Sequence, residues 1–194
     1  MTTGYSPAGK RMKPFSQACE NNQQPILNVL NVAFSQATSV LEMGSGTGQH
    51  AVFMAQNMSH LQWHTADLSE HHAGINAWLA DANVPNTHQP FTLDADNPPA
   101  MRPHSFDALF TANTLHIMAA SSVENVFAKV VPQLVQDACL CIYGPFKYAG
   151  KFTSQSNAHF DQSLKARNPH SGIRDVEWII DLAEQQGFVL KADH

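Results

Sequence analysis

Three glycines at alternate positions, Gly44, Gly46 and Gly48, follow a short apolar run that closes on an acid, Val40-Leu41-Glu42. Glycine lets a backbone turn sharply and approach a bound molecule more closely than any Cβ would allow. The chemistry this spacing offers is recognition by main-chain groups. A second acid, Asp67, closes another apolar run at 61–66. A carboxylate there can accept hydrogen bonds from two neighbouring hydroxyls, as on a ribose. The glycines do not fit the G-x-G-x-x-G of a dinucleotide loop, because the third comes one residue early and position 49 is Gln. No G-K-[ST] of a phosphate loop is present either. Among side chains able to move a proton near neutral pH, His116 stands out. Asn113 and Tyr143 fall, like it, at or just after the ends of expected strands.

The surrounding elements must set these groups at one edge of a sheet. Residues 39–43 read as the first strand, the glycines as a tight loop, and 50–58 as a helix. A second strand covers 61–66. Ser69 can cap a helix running to 82, with Ile75, Trp78 and Leu79 on its buried face. A short third strand, 89–93, belongs at an edge because Pro90 cannot donate to a ladder. Strands at 105–113 and 138–143 flank a helix at 123–134; the second is a near-continuous apolar run of the kind buried in parallel sheets. A long polar insert, 147–173, precedes a helix at 175–186, which Gly187 ends, and a last strand at 188–191. Near the N-terminus, apolar positions 26, 27, 30, 33 and 34 have a helical period, with Pro25 in the first turn. Residues 1–13 read as a flexible tail. This alternation predicts one α/β domain over 1–194, a three-layer sandwich with a mainly parallel sheet of six strands. Ligands of such sheets bind at the carboxyl ends of the strands.

Composition narrows the partners. The chain has 194 residues, 43% hydrophobic and 14% charged, with a net charge of −5. That balance, and the shortness of the densest cationic run, Lys10-Arg11-Met12-Lys13, argue against a nucleic-acid partner. No apolar run approaches the roughly 18 residues that span a bilayer, and the N-terminus lacks the apolar core of a secretory signal. A cytoplasmic protein is expected, with Cys19, Cys139 and Cys141 as reduced thiols; the last two would share a strand face in poor disulfide geometry. The 11 histidines are scattered and imply no metal. Oligomeric state is not legible.

The Glu42-x-Gly44-x-Gly46-x-Gly48 form resembles motif I of the class I S-adenosylmethionine-dependent methyltransferases, whose loop packs against the methionine and ribose of the cofactor. The resemblance implies that Asp94, after the third strand, meets the adenine amine and that Asn113 lines the methyl-transfer pocket. It extends along roughly residues 10 to 190. Ser16-Gln17-Ala18-Cys19-Glu20-Asn21-Asn22, Gly46-Thr47-Gly48-Gln49-His50, Ala112-Asn113-Thr114-Leu115-His116-Ile117, Tyr143-Gly144-Pro145-Phe146, Ser156-Asn157-Ala158-His159-Phe160-Asp161 and Gly172-Ile173-Arg174-Asp175 together are similar to an uncharacterised methyltransferase-like family of bacteria and eukaryotes, a domain of unknown function with that fold. The family's N-terminal motif reads Ser-Pro-Ala-x-Glu-Arg-Asn. Here Gln17 stands for the proline, and Asn21 for an arginine that could meet the cofactor's carboxylate.

The resemblance implies a Rossmann-like class I methyltransferase fold. Its last strand, seven, is expected to be missing, since little sequence follows 188–191. It also implies a lid built from the insert 147–173 with Ser156, Asn157, His159 and Asp161, bordered by Arg174. The expected cofactor is S-adenosylmethionine, held by Glu42, Gly44, Gly46, Gly48, Asp67, Asp94, Asn113 and Asn21. The expected activity is methyl transfer to a small molecule, with His116, Asn113 and Tyr143 in the acceptor pocket. Two alternatives stand beside it: a non-catalytic binding module acting through a protein partner, and an NAD-dependent oxidoreductase, which the glycine spacing disfavours.

Overall fold

Five strands form one sheet in the order β3-β2-β1-β4-β5. They are β1 (Ser39–Met43), β2 (Gln62–Asp67), β3 (Thr87–Thr92), β4 (Ala108–Ala112) and β5 (Cys139–Tyr143). The structure, a computed structural model, describes residues 13–101 and 105–194. The expected tail therefore lies outside the described residues, Lys13 excepted. β1 pairs in parallel with β2 and β4, setting Val40 beside Trp63 and Ala108, and β2 pairs in parallel with β3. Four of the five β1 residues are buried, as a central parallel strand requires. β3 occupies an edge, which accommodates Pro90.

The chain divides into two compact units. One holds the chain up to Leu93 together with Phe106–Phe110 and Cys139–Cys141; the other holds Asp94–Ser105, Thr111–Ala138 and Ile142–His194. In the first, Trp63, Phe34 and Phe110 are among the largest fully buried side chains. Asp107 ties the start of β1 to that of β4. Its carboxylate accepts from the Thr38 N–H at 2.8 Å, the Thr38 hydroxyl at 2.7 Å and the Ser39 N–H at 2.9 Å. Asp107→Ala strands these donors, and urea unfolding is expected to show a loss of about 2 kcal/mol.

Several elements differ from the sequence expectation. Helix α1 (Gln17–Ala33) starts well before Pro25, because the Ser16 hydroxyl caps it by accepting from the Cys19 N–H. Pro25 is thus interior, on the exposed face, where the Asn21 carbonyl that loses its donor meets water. Helix α2 (Gln49–Asn57) follows the glycines as expected. Ser69 does not cap a helix; a 3₁₀ turn, Ser69–His71, leads into α3 (His72–Ala82), which buries Ile75 and Leu79 but leaves Trp78 half-buried. The helix expected at 123–134 begins earlier, as α4 (Ala120–Asn125). It then widens to a π turn at Val126–Val130 and ends in a 3₁₀ turn at Val131–Gln133. Pro132, which has no N–H to give, prevents a regular α-helical end.

β5 is the other edge of the sheet and is half-buried to exposed, not fully covered. Residues 188–191 form no strand. Gly187, at φ +85°, ends α6 (Val176–Glu184), and Val189 and Leu190 are exposed. The sheet therefore holds five strands, not six, among the described residues. The insert carries regular structure: β6 (Phe146–Tyr148), β7 (Lys151–Phe152) and β8 (Arg174–Asp175) form a small second sheet, and α5 (Gln155–Arg167) fills nearly half of the span read as a polar loop. Cys19, Cys139 and Cys141 are free thiols. No helix of the described residues is long and apolar enough to cross a membrane.

Candidate ligand-binding site

In the first unit, the residues after β1 turn through three left-handed glycines, Gly44 (φ +74°), Gly46 (φ +57°) and Gly48 (φ +90°). The loop is anchored from beneath: the N–H groups of Gly44 and Ser45 both donate to the Ala66 carbonyl, and the Ser45 hydroxyl donates to that of Glu42. The glycines have different reasons to be glycine. A Cβ on Gly48 would lie 3.0 Å from the Ile75 Cα and 3.3 Å from the Ile75 carbonyl, so this position is dictated by the approach of α3. A Cβ on Gly46 would meet only the Gly44 carbonyl, at 4.0 Å, and would otherwise point into open space. Gly46 is the loop's exposed, ligand-ready member.

Asp67 sits against it. One carboxylate oxygen accepts from the Gly46 N–H and the other from the Leu68 N–H, each at 2.7 Å. Each oxygen keeps a lone pair, so the carboxylate is held in one orientation and can still accept from two hydroxyls. A vicinal diol is therefore a chemical fit for this corner. Glu42 is not at the surface. It is 2% exposed and accepts from the Trp63 indole N–H at 2.9 Å. Burial pushes its carboxyl up to about 7, partly opposed by the Trp63 and Ser45 hydrogen bonds and helped by the nearby Asp67 charge.

Asn21 lies on the exposed face of α1 and accepts from the Gln17 amide at 2.9 Å. Its neighbour Asn22 is the buried one, and pairs with the His50 imidazole at 2.7 Å. Gln49 reaches the same helix start, accepting from the Ser16 N–H and donating to the Ser16 carbonyl. These two contacts dock α1 onto the glycine loop.

In the second unit, Asp94 closes a local turn by accepting from the Asp96 N–H at 2.9 Å and is half-buried. Asn113 holds a left-handed backbone (φ +57°) and donates its N–H to the Tyr143 carbonyl at 2.8 Å. The Tyr143 side chain is 41% exposed. His116 is buried, edge-on to Phe160 at 5.3 Å between ring centroids. Burial, helped by the Arg174 charge, lowers its pKa to about 4. It is a neutral imidazole at physiological pH, a hydrogen-bonding group more than the near-neutral base the sequence suggests. Arg174 donates to the carbonyls of Leu115, Met118 and His170, pinning the segment after β4. Asp161 is buried and accepts from the Ile173 N–H and the Lys165 ammonium. The segment expected as a lid thus includes α5, largely exposed and held at Asp161 by the Ile173 N–H and the Lys165 ammonium.

Residues 13–194 match DUF938, a protein family of unknown function. The chain belongs to the DUF938 family. Among solved structures, this DUF938 protein is similar to an O-methyltransferase family protein from Burkholderia thailandensis, at 17% identity over 89% of this chain and 52% of that one, with a TM-score of 0.75. A riboflavin-analogue dimethyltransferase from Streptomyces davawensis matches at 16% identity over 91% and 50%, with a TM-score of 0.70. Human N-acetylserotonin methyltransferase, in complex with S-adenosylmethionine, matches at 13% identity over 89% and 48%, again with a TM-score of 0.70. The chain spans about half the length of the structures it matches. The likeness establishes the fold, which is the Rossmann-like fold of class I methyltransferases. What sequence reasoning missed in this DUF938 chain are Ser16, Asn22, Gln49 and His50, which lock α1 to the loop. All four lie in the segments that carry the family resemblance, but their spacing does not reveal that they meet.

Proposed function

We propose that this chain is an S-adenosylmethionine-dependent methyltransferase acting on a small molecule. The observation that carries the reading is the Asp67 carboxylate, oriented by the Gly46 and Leu68 N–H groups beside the open face of Gly46. That corner suits the ribose diol of a nucleoside cofactor, and a glycine loop without a phosphate cradle suits one that carries no pyrophosphate. The fold is shared with methyltransferases, one of them solved with S-adenosylmethionine bound. Once bound, that cofactor supplies an electrophilic methyl group on a sulfonium. The chain's own task is then to hold the diol at Asp67, pack the Gly46 backbone against the cofactor, and position an acceptor while excluding water. We place the acceptor with Asn113, His116 and Tyr143. The low charge of the chain, −5 overall and without a basic run, favours a small acceptor over a nucleic acid. A cytoplasmic location goes with this reading.

Calorimetric titration with S-adenosylmethionine, S-adenosylhomocysteine and NADH tests it. Micromolar binding of the first two and none of NADH is expected. The reverse pattern overturns the reading in favour of an oxidoreductase. Asp67→Asn keeps the shape but weakens the acceptor, and should lower S-adenosylmethionine affinity about tenfold.

A further inference from the structure

The second unit contains a cavity of about 300 Å³ that shares His116 with the proposed acceptor site. Its walls are His116 and Ile117 from the segment after β4, Phe160, Leu164 and Arg167 from α5, and Asn168. Ser171 also borders it, but its hydroxyl is already donated to the Ile117 carbonyl at 2.6 Å. The volume suits a compact, single-ring molecule at the small end of ligand pockets.

His116 is the telling residue. It is 6% exposed, lines the cavity, and has no hydrogen-bond partner on its ring among the described residues. His50, buried to the same degree in the first unit, is partnered by Asn22. No buried side-chain nitrogen or oxygen among the described residues lacks a partner, so the unpaired ring nitrogens of His116 are open to solvent, and a ligand hydroxyl would take the place of water there. A neutral imidazole offers one donor and one acceptor, so a hydroxyl satisfies it either way. Phe160, Leu164 and the exposed Ile117 make an apolar wall. Among the described residues Arg167 is the one charged lining residue and no acid lines the cavity, and Asn168 adds an amide beside it. An anionic end is therefore matched at one side and a hydroxyl at the other.

We propose that this cavity binds a compact hydroxylated organic acid, with its ring on Phe160 and Leu164, its carboxylate at Arg167 and Asn168, and its hydroxyl at His116. The proposal deepens the methyl-transfer reading at His116, naming a class of molecule for that side of the acceptor site, while its test needs no cofactor. A chain that binds the acid but no S-adenosylmethionine upholds the one and overturns the other.

The test is calorimetric titration of the full chain, without cofactor, using 3- and 4-hydroxybenzoate as probes and 4-hydroxybenzyl alcohol as the neutral control. At least one acid should bind saturably, about tenfold or more tighter than the alcohol. Arg167→Gln, an exposed change, should erase that preference. His116→Phe fills the cavity and should abolish binding of both, with thermal melting as the check on folding. The proposal is overturned by no saturable binding of any probe at millimolar concentration, by equal affinity for acid and alcohol, or by an Arg167→Gln chain that keeps the preference for acid.

Discussion

Gly46→Val is expected to lower the affinity for S-adenosylmethionine at least about 100-fold, near 2.7 kcal/mol of binding energy, while the chain still folds. The new side chain enters the open space above the loop, since nothing but the Gly44 carbonyl lies within 4.0 Å of a Cβ there. The left-handed backbone, φ +57°, adds strain of about 1–2 kcal/mol, felt mostly as a modest fall in melting temperature. Gly48→Ala is the paired control and should do the opposite. Its Cβ would press on the α3 backbone at Ile75, 3.0 Å away, in a loop that also demands φ +90°. Helix backbone cannot give way as a side-chain tip can. A loss of about 3 kcal/mol or more is expected, a large share of a typical domain's stability. Calorimetry and urea unfolding on both variants separate the roles. Unchanged affinity in folded Gly46→Val would remove the loop from the cofactor site.

That contrast marks how far the sequence could be read. Three alternate glycines announce a tight turn beside a ligand, but spacing alone cannot say which glycine faces solvent and which faces α3. Four of the strands were legible because each is a largely apolar run with a clear stop, Glu42 then glycine, Asp67, Asn113 and Gly144-Pro145, whereas β3, Thr87–Thr92, has little apolar character. The stretch 188–191 has the same local look and is no strand, because strand formation also needs a paired neighbour, and pairing is a long-range property. α5 was illegible for a complementary reason. Only Asp161 and Leu164 are fully buried along it, so the apolar period that reveals a helix is missing. α1 begins earlier than its sequence suggests because Pro25 is a strong first-turn signal, whereas the Ser16 cap that sets the true start looks like any serine.

For the candidate site, the sequence shows which residue types end the strands but not their states. Asp67 stands where the pattern put it, and its fixed orientation follows from two N–H donors. In the family segments Ser156-Asn157 and Phe160-Asp161, Ser154 and Thr153 bond Asn157 at the start of α5, Phe160 packs on His116, and Asp161 fastens the Ile173 N–H. His116 was expected to titrate near neutrality. Burial decides otherwise, and burial comes from residues distant in sequence.

Burial also decides the second large effect, the pH dependence carried by Glu42. The unfolded chain releases this proton near 4.5 and the folded chain near 7. Between those values the unfolded state has lost a proton that the folded state still holds, so the stability this group contributes is complete below about 4.5 and is lost as pH rises through about 7. His50, His64 and His116, all lowered to about 4, act in the other direction and make the chain less stable as pH falls from 6.5 towards 4. Glu42→Gln isolates the glutamate. The amide oxygen can still accept from the Trp63 indole, and the histidine contributions cancel when the variant is compared with wild type at each pH. Any fixed cost of the amide group cancels between the two pH values. Relative to wild type, Glu42→Gln should gain about 2.5 kcal/mol between pH 5 and pH 8, measured by urea unfolding at both. A gain below about 0.5 kcal/mol would mean that Glu42 ionises beneath the loop without penalty. The expected gain means that near pH 6 the acid under the glycine loop is neutral, because ionising it would put an unsolvated charge beside Asp67.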